Sequence, residues 1–456
     1  MATHIRVSAL FLSALGCSDG AEPVPKATGP AWSTPATCTD VASPADATGV
    51  VRWPYVQNVT EDAATIAFGV EKGASAGSVS VARDDDYDGP EAISGTTTIV
   101  SLRIDDSDDD YPPEPEEDED TGGEDTAAPF EPGPEAWMDL HHVRLTGLQP
   151  GTEYCYRVES DGSEKAKGFR FWTAPATDDT TVKFLVIGDM GAGTEAQELV
   201  RDVMLRHAEG SHFIITTGDN AYGDGDRDEL HNHVFVAYQE LFARMPVYPT
   251  LGNHDYKTDQ AQPYLDSFFL PEDAWRSQDK ERYYTLDFGP VHFIALDTET
   301  PAWQATAAED DDQTDWLGGY AVNTTRPWSI AGFHQPAKAG HPERGAHAVA
   351  LLQWAPILEE AAVPLVLQGH DHYYERFAPI REGEPTDTEA GGVTYIVTAG
   401  GGQSLYEIDY DEPYMVSAEL RHHFLRGEAD ACTLRLQAID VHDDVFDEVV
   451  FDRCSR

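Results

Sequence analysis

The sequence predicts a β-sandwich followed by an α/β domain. Short runs of β-forming residues begin near Val50, and from Val182 onward apolar runs alternate with helix-like segments. The final stretch, Cys432 to Phe451, alternates apolar and polar residues and predicts antiparallel strands. With 456 residues, 41% of them hydrophobic, the chain is long enough for two or three domains and apolar enough to form a packed core.

The acidic excess excludes one class of partner. The chain has 82 acidic and 30 basic residues and a formal net charge of −52. Such a surface repels nucleic acids and anionic membranes, so we expect no nucleic-acid partner. The sequence contains no run of 18 or more apolar residues, so we expect no transmembrane helix.

The first 17 residues have the pattern of an export signal. Arg6 precedes the apolar run Val7 to Leu15, and Cys17 follows it closely. Residues 14–17 resemble a bacterial lipoprotein cleavage site, in which the cysteine receives the lipid; an ordinary cleaved signal is the alternative. We expect residues 1–17 to be a signal peptide and the protein to be exported, either as a cell-envelope lipoprotein or secreted. A lipid at Cys17 would then be its only contact with a membrane.

Four further cysteines, an even number, suit disulfides in an oxidising compartment. Cys432 and Cys454 flank a pair of strand-like runs and could form one bond. Cys38 would then pair with Cys155 and tie the N-terminal segment to the first domain. The sequence permits three pairings and does not select among them.

Residues 18–48, rich in Ala, Pro, Thr and Asp, predict a flexible tether to a first domain at residues 49–175. Inside that domain, residues 105–126 contain 13 acidic and no basic residues and predict a disordered acidic loop. Leu148 to Tyr154 is typical of the tyrosine corner of a fibronectin type III-like sandwich, in which the tyrosine hydroxyl bonds back across a strand turn. Other runs in this domain predict strands; they are Thr65–Phe68, Thr97–Val100 and Tyr154–Val158.

Residues 181–456 predict the α/β domain. Strands and helices of these lengths, in alternation, favour a mostly parallel, layered sheet. The predicted helices are Glu195–His207, Asp228–Arg244 and Ala348–Ala362. The predicted strands are Val182–Ile187, Phe213–Ile215, Val247–Leu251, Tyr283–Phe288, Val291–Leu296, Trp328–Phe333, Pro364–Gln368 and Val393–Thr398, with antiparallel strands added at Cys432–Phe451.

Five polar clusters follow apolar runs of this domain, at strand ends where open α/β sheets bind ligands. Each places a glycine beside residue types that ligate metals. The clusters are Gly188–Gly191, Gly218–Tyr222, Gly252–Asp255, Gly332–His334 and Gly369–His372. A single Gly-Asp is usually a turn and a single His-x-His is usually a surface pair, but five such clusters in this order are hard to explain by chance and predict a metal site.

The residue types in the clusters indicate which metals fit. They supply carboxylates, an amide oxygen and imidazoles, which suit divalent or trivalent first-row metals. One carboxylate can hold two ions about 3.5–4 Å apart, and we place Asp219 in that position. Such a pair lowers the pKa of a trapped water and neutralises the oxygens of a phosphate. The candidate ligands by residue type are Asp189, Asp219, Asn253, His334, His370 and His372.

In these five blocks the chain resembles the purple acid phosphatases of the calcineurin-like metallophosphoesterase superfamily. That family carries Gly-Asp-x-Gly, Gly-Asp-x-x-Tyr, Gly-Asn-His-Glu or Asp, Val-x-x-His and Gly-His-x-His, and here only the valine differs, replaced by Ile330. The likeness runs from about Val50 to the C-terminus. It implies a fibronectin type III-like β-sandwich followed by a four-layer α/β metallophosphoesterase domain.

The resemblance also implies roles for individual residues. An iron(III) ion would be bound by Asp189, Asp219, Tyr222 and His372, and a second ion (iron, zinc or manganese) by Asp219, Asn253, His334 and His370. The phenolate of Tyr222 would give the iron a visible colour. His254 is expected to face the substrate as the catalytic residue that stabilises the phosphoryl group or protonates the leaving alkoxide, with Asp255 orienting it.

The function expected from these residues is hydrolysis of small phosphomonoesters by a metal-bound hydroxide, an acid phosphatase activity. A phosphodiesterase or nucleotidase on the same scaffold stays open, because the pocket walls decide between them. An inactive surface-binding or iron-storing module is an alternative of another class, although the complete ligand set disfavours it. Other histidines match no block and are expected at the surface, with His341 in a loop at the rim; they include His141, His142, His231, His233, His422 and His423.

Overall fold

A computed structural model describes residues 32–33, 35–38, 49–104, 137–299, 312–341, 344–388, 390–408 and 412–454. The expected signal peptide at residues 1–17, most of the expected tether at residues 18–48 and the acidic loop at residues 105–126 lie outside the described residues. Among the residues that are described, no helix is both long and apolar enough to cross a membrane.

The N-terminal part is a β-sandwich, as predicted. Its strands are β1 (Val50–Gln57), β2 (Ala63–Glu71), β3 (Gly77–Ala82), β4 (Ile93–Thr96), β5 (Thr98–Arg103), β6 (Trp137–Thr146), β7 (Glu153–Ser160) and β8 (Ser163–Trp172). They form two four-stranded antiparallel sheets, ordered β1-β2-β6-β5 and β4-β3-β7-β8. Buried residues such as Ile66 and Val79 fill the space between them. The finer assignment as fibronectin type III-like stays a prediction.

Local contacts at the sandwich agree with the sequence. The hydroxyl of Tyr154 accepts a hydrogen bond from the backbone N–H of Gln149 at 2.9 Å, which is the predicted tyrosine corner. The disulfides are Cys38–Cys155 and Cys432–Cys454. The first disulfide ties the segment before β1 to β7. The second links the residue just before β22 to a residue just after β23.

The C-terminal part contains two mixed sheets rather than one mostly parallel sheet. Its strands are β9 (Val182–Ile187), β10 (Phe213–Thr216), β11 (Val247–Pro249), β12 (Tyr284–Phe288), β13 (Val291–Ala295), β14 (Trp328–Phe333), β15 (Leu365–Gln368), β16 (Tyr374–Phe377), β17 (Ile380–Arg381), β18 (Glu384–Pro385), β19 (Thr394–Thr398), β20 (Met415–Glu419), β21 (His423–Ala429), β22 (Thr433–Asp440) and β23 (Val445–Asp452). The sheet orders are β11-β10-β9-β21-β22-β23 and β12-β13-β14-β15-β19-β16-β20. Parallel pairing is confined to β9–β11 in the first sheet and to β13, β14, β15 and β19 in the second.

The two sheets and their helices form the layers expected from the sequence. Buried residues of both sheets, such as Ile214 and Phe293, belong to one hydrophobic cluster that also continues into the sandwich. Val203 of helix α1 (Glu195–His207) joins this cluster, whereas Trp354 and Leu358 pack with residues of the second sheet in another cluster. The α/β fold with a sandwich in front is therefore confirmed.

The helices match the sequence less evenly than the strands. Helix α1 has the predicted bounds, and the Thr194 side chain caps it by accepting a hydrogen bond from the N–H of Gln197. The predicted helices at 228–244 and 348–362 are instead broken into short α-helical and π-helical pieces. The remaining helical segments are Arg227–Glu229, Leu230–Val236 (π), Gln239–Phe242, Asn253–Lys257, Asp259–Ala261 (3₁₀), Gln262–Ser267, Ser277–Asp279 (3₁₀), Asp312–Trp316, Leu317–Ala321 (π), Ala350–Trp354 (π) and Ala355–Glu360.

Candidate metal centre

The five polar clusters follow strands of both sheets. Strands β9, β10 and β11 of the first sheet end just before Asp189, Asp219 and Asn253. Strands β14 and β15 of the second sheet end just before His334 and residues 370–372. Because the carboxyl ends of parallel strands meet at one edge of a sheet, each sheet gathers its own loops, and contacts between the loops join the two groups.

Asp219 lies at the middle of this gathering. Its carboxylate is buried, with 2% of the residue exposed. One oxygen, Oδ2, lies 3.2 Å from Nε2 of His334 and accepts a hydrogen bond from the hydroxyl of Tyr222 at 3.1 Å. The other oxygen, Oδ1, accepts a hydrogen bond from the backbone N–H of His254 at 2.8 Å. The one carboxylate therefore contacts residues on two sides.

The first side consists of Asp189, Tyr222 and His372. The hydroxyl of Tyr222 donates to Oδ1 of Asp189 at 2.9 Å and lies 3.2 Å from Nε2 of His372. The same Nε2 of His372 is 3.3 Å from Oδ1 of Asp189. All three residues are at most 4% exposed.

The second side consists of Asn253, His334 and His370. Oδ1 of Asn253 is 3.1 Å from Nε2 of His334 and 3.1 Å from Nδ1 of His370, and these two nitrogens are 3.2 Å apart. Ligand atoms of Asp219, His334 and His370 all lie within 4.8 Å of one another, an arrangement that could hold one metal ion. All seven side chains expected to ligate metal therefore lie together.

Hydrogen bonds outside the cluster fix the ring nitrogens that face inward. Nδ1 of His334 lies 2.9 Å from the carbonyl oxygen of Thr217, and Nδ1 of His372 lies 2.8 Å from that of Ser404. A carbonyl only accepts, so each Nδ1 carries a proton, and each Nε2 is the nitrogen that would face a metal ion as the ligand atom. His370 is turned the other way and directs Nδ1 inward.

The backbone aims these side chains through unusual conformations. Asp189, Asp219 and His370 have φ angles of 57°, 47° and 71°, in the left-handed region that non-glycine residues rarely occupy. Such a residue costs about 1–3 kcal/mol and persists only where its surroundings hold it. Gly218, at φ 90°, must be glycine for a second reason: a Cβ there would lie 2.6 Å from Nδ1 of His334.

The donor set fits metal ions. Burial alone would raise the pKa of Asp219, but the neighbouring His334, His254 and His370 more than offset this and lower it, so the carboxylate is charged. Burial, followed by the charges of Asp189 and Asp219, raises the pKa of Tyr222 well above its ordinary value. A cation in the cluster would reverse that effect and favour the phenolate.

The structure corrects the role expected for Asp255. Its carboxylate accepts hydrogen bonds from the backbone N–H and the side chain of Asn220 and from the N–H of Gly252, so it holds the loops together and does not orient His254. Nδ1 of His254 instead lies 2.5 Å from the carbonyl oxygen of Gly223. An isolated aspartate next to a histidine does not reveal which way its side chain points.

Sequence reasoning missed several residues around the cluster. Nζ of Lys257 lies 3.1 Å from Nδ1 of His254, and the helical spacing of three residues could have suggested this contact. The ring of Tyr406 stacks on His372 with centroids 4.0 Å apart, and His341 lies edge-on to Tyr406 at 5.7 Å, consistent with a rim position. No motif marks Tyr406 or Arg344, which also lies beside the cluster.

Three of the histidines expected at the surface are buried. His141, His231 and His423 are 0%, 7% and 1% exposed. Burial lowers the pKa of His231 to about 3 and of His423 to about 4, so both are neutral core residues. A histidine outside the five motifs is therefore not necessarily at the surface of this fold.

The part of the chain that carries the five clusters is similar to known phosphoesterases. Residues 182–374 match the family model of the calcineurin-like phosphoesterases. Purple acid phosphatase 21 of Arabidopsis thaliana is 28% identical over 278 residues, which cover 58% of this chain and 58% of that protein. Purple acid phosphatase 22 of the same plant is 24% identical over 304 residues, covering 62% of this chain and 63% of the relative. The chain thus spans less than two thirds of the length of these curated relatives.

A solved structure shares the fold over most of the chain. The purple acid phosphatase PPD1 from seeds of yellow lupin (Lupinus luteus) superimposes with a TM-score of 0.70 at 17% sequence identity, covering 88% of this chain and 74% of that one. The order of a β-sandwich followed by a phosphoesterase domain is therefore common to both, and the resemblance inferred from the five blocks is confirmed.

Proposed function

We propose that the protein, whose residues 182–374 match the calcineurin-like phosphoesterase family, is a metal-dependent phosphatase that hydrolyses phosphomonoesters. The observation that carries the proposal is the meeting of seven ligating side chains, from five loops, around the carboxylate of Asp219. A phosphoester is a small anionic substrate. The net charge of −52 disfavours nucleic acid in its place.

The contacts support a division of the side chains between two ions. The Tyr222 hydroxyl contacts Asp189, Asp219 and His372, a mainly oxygen set that suits iron(III). Asp219 with Asn253, His334 and His370 offers two imidazole nitrogens for iron, zinc or manganese. When bound, two such ions lower the pKa of a water and neutralise the oxygens of the phosphate.

The chain's own residues complete the reaction. We assign the leaving-group proton to Nε2 of the His254 imidazolium, because Nδ1–H bonds to the carbonyl of Gly223 and the ring is therefore held with Nε2–H available. The bond between phosphorus and the ester oxygen breaks as a water oxygen bonds to phosphorus. The proton from Nε2 then converts the leaving alkoxide to an alcohol, inorganic phosphate is the other product, and the proton that the water gives up balances the one taken from His254.

The two disulfides support export as part of the proposal. Stable disulfides form in oxidising compartments, which is where a signal at residues 1–17 would deliver the chain. Lipid attachment at Cys17 and release as a secreted protein are the two forms that this export could take.

Hydrolysis of p-nitrophenyl phosphate and of bis-p-nitrophenyl phosphate, measured side by side on the metal-loaded protein, tests the proposal. We expect the monoester to be the better substrate and the Asp219→Asn variant to lose activity with both. Asp202→Asn is the matched control, because its side chain is 54% exposed on helix α1, and it should behave as the wild type. A preference for the diester would instead favour a phosphodiesterase. An active Asp219→Asn variant would refute the proposed site.

A further inference from the structure

Arg344, Asp371 and Tyr406 form a wall beside the candidate metal centre, here called the arginine wall. The Tyr406 ring stacks on His372, and Cζ of Arg344 lies 4.7 Å from the centroid of the Tyr406 ring. Nη1 of Arg344 is 3.3 Å from Nε2 of His370 and 3.7 Å from Oδ1 of Asp371. The guanidinium is therefore bordered on three sides, next to two of the candidate ligands.

The contact between Arg344 and His370 brings two donors together. His370 directs Nδ1 towards Asn253 and His334, as expected of its ligand atom. A neutral imidazole that ligates through Nδ1 carries its proton on Nε2, and a guanidinium has donors only. When a metal ion takes Nδ1, Nε2–H and Nη1–H, whose nitrogens are 3.3 Å apart, cannot bond to each other. An acceptor oxygen placed beside them could receive a hydrogen bond from each.

A phosphate oxygen is the acceptor that best fits this position. The planar guanidinium presents parallel N–H groups that match phosphate geometry and stays charged at every working pH. Its charge also counters the negative environment made by Asp189, Asp219 and a chain of net charge −52, which would otherwise repel a phosphate dianion.

The rest of the wall preorganises the arginine. Asp371 is 1% exposed and lies against the guanidinium, while the Arg344 side chain itself is 30% exposed and so reaches solvent. Stacking on Tyr406 restricts the side chain further. Less conformational entropy is then lost when the arginine takes up a ligand.

We propose that Arg344 binds a non-bridging oxygen of the substrate phosphate together with Nε2–H of His370. The arginine thereby positions the phosphorus atom at the metal centre. This inference rests on the proposed phosphatase function and adds a substrate-binding residue outside the five sequence blocks.

Binding of inorganic phosphate to the metal-loaded protein, followed by calorimetry, tests the inference in the Arg344→Gln variant. Loss of a charge-assisted contact should raise the phosphate Kd about 10- to 100-fold and raise KM for p-nitrophenyl phosphate by a similar factor. Metal content should stay at the wild-type value. Arg381→Gln is the matched control, since Arg381 lies on β17 and its side chain donates to the carbonyl of Ala390, and it should leave both constants unchanged.

The outcomes separate this inference from the proposed function. If the wild type neither binds phosphate nor hydrolyses the monoester, the proposed function fails and the inference fails with it. If the wild type does both and Arg344→Gln keeps a Kd within about twofold of it, only the inference is overturned.

The Arg344→Lys variant decides the case in which Arg344→Gln loses metal. Lysine keeps the charge beside Asp371 but lacks the fork, so the phosphate Kd should rise about 3- to 10-fold. A wild-type phosphate Kd in Arg344→Lys would overturn the inference, because the guanidinium fork would then contribute nothing to phosphate binding.

Discussion

Replacing Asp255 with alanine should loosen the loops around Asp219. The Asp255 carboxylate is 1% exposed and accepts hydrogen bonds from the Asn220 N–H at 3.1 Å, the Asn220 side chain at 2.9 Å and the Gly252 N–H at 2.9 Å. Alanine leaves three buried donors unsatisfied, at about 1–3 kcal/mol each. Burial, followed by the charge of Asp219, raises the pKa of Asp255 to about 7, so removing a poorly solvated carboxylate offsets part of the loss at neutral pH. We therefore expect the lower end of the range, about 3 kcal/mol.

Thermal unfolding and metal analysis of the purified Asp255→Ala variant measure the two consequences. A loss of about 3 kcal/mol should lower Tm by about 6–12 °C in a domain of this size. Metal content should fall too, because Asn220 follows Asp219 and Gly252 precedes Asn253.

His254→Ala is the comparison for Asp255→Ala. The His254 ring makes one bond to a loop, at the Gly223 carbonyl, so Tm and metal content should change less than in Asp255→Ala. The kcat should fall about 10²- to 10⁴-fold, because the proton transfer is removed. If Asp255→Ala instead keeps wild-type Tm and metal content and loses only kcat, Asp255 acts on His254 and the reasoning is refuted.

Three further changes test other parts of the structure. Breaking the Cys38–Cys155 disulfide, whose cysteines are 117 residues apart, should lower the free energy of unfolding by about 5 kcal/mol. Breaking Cys432–Cys454, with a separation of 22 residues, should lower it by about 3 kcal/mol. Urea unfolding measures both losses, and equal losses would contradict the explanation by chain entropy. Gly218→Ala should reduce metal content, because the new Cβ would meet the imidazole of His334. Gly73→Ala is the control: it is also at positive φ but has open space around it, so it should cost only about 1–2 kcal/mol of strain. Equal metal content in the two variants would count against the contact between residue 218 and His334. Burial raises the pKa of Asp297 to about 8, so its contribution to stability is full below about pH 4 and is lost as the pH rises through 8. Asp297→Asn should therefore flatten the decline in Tm that the wild type shows between pH 5 and 8. An unchanged slope would refute the raised pKa of Asp297.

Most of the fold could be predicted because its signals are local. Helix α1 has the bounds read from the sequence, since Thr194 supplies a cap and the apolar spacing matches one helical face. The helix predicted at 228–244 is interrupted by the π-helical segment Leu230–Val236, which a search for 3.6-residue spacing does not detect. The apolar runs favoured one mostly parallel sheet and only the family resemblance implied four layers, because apolar runs reveal strands but not their partners.

The residues of the site also fall into two groups, those that local sequence reveals and those that it does not. Asp219 and the other side chains of the five blocks could be named because each follows a strand and carries a ligating residue type. Arg344 and Tyr406 could not be named, since their positions depend on how separate loops meet over His372. The direction of Asp255 was missed because neighbouring residues on a helix point about 100° apart, so adjacency to His254 implies no contact.

Metal analysis of the purified protein, with a visible spectrum of the same sample, tests most directly whether the side chains around Asp219 hold two ions. We expect two metals per chain and a phenolate-to-iron(III) band that disappears in Tyr222→Phe while iron is retained. A metal-replete wild type without that band would remove Tyr222 from the ligand set. A protein that takes up one ion or none after loading with iron and zinc would contradict the two-metal centre itself.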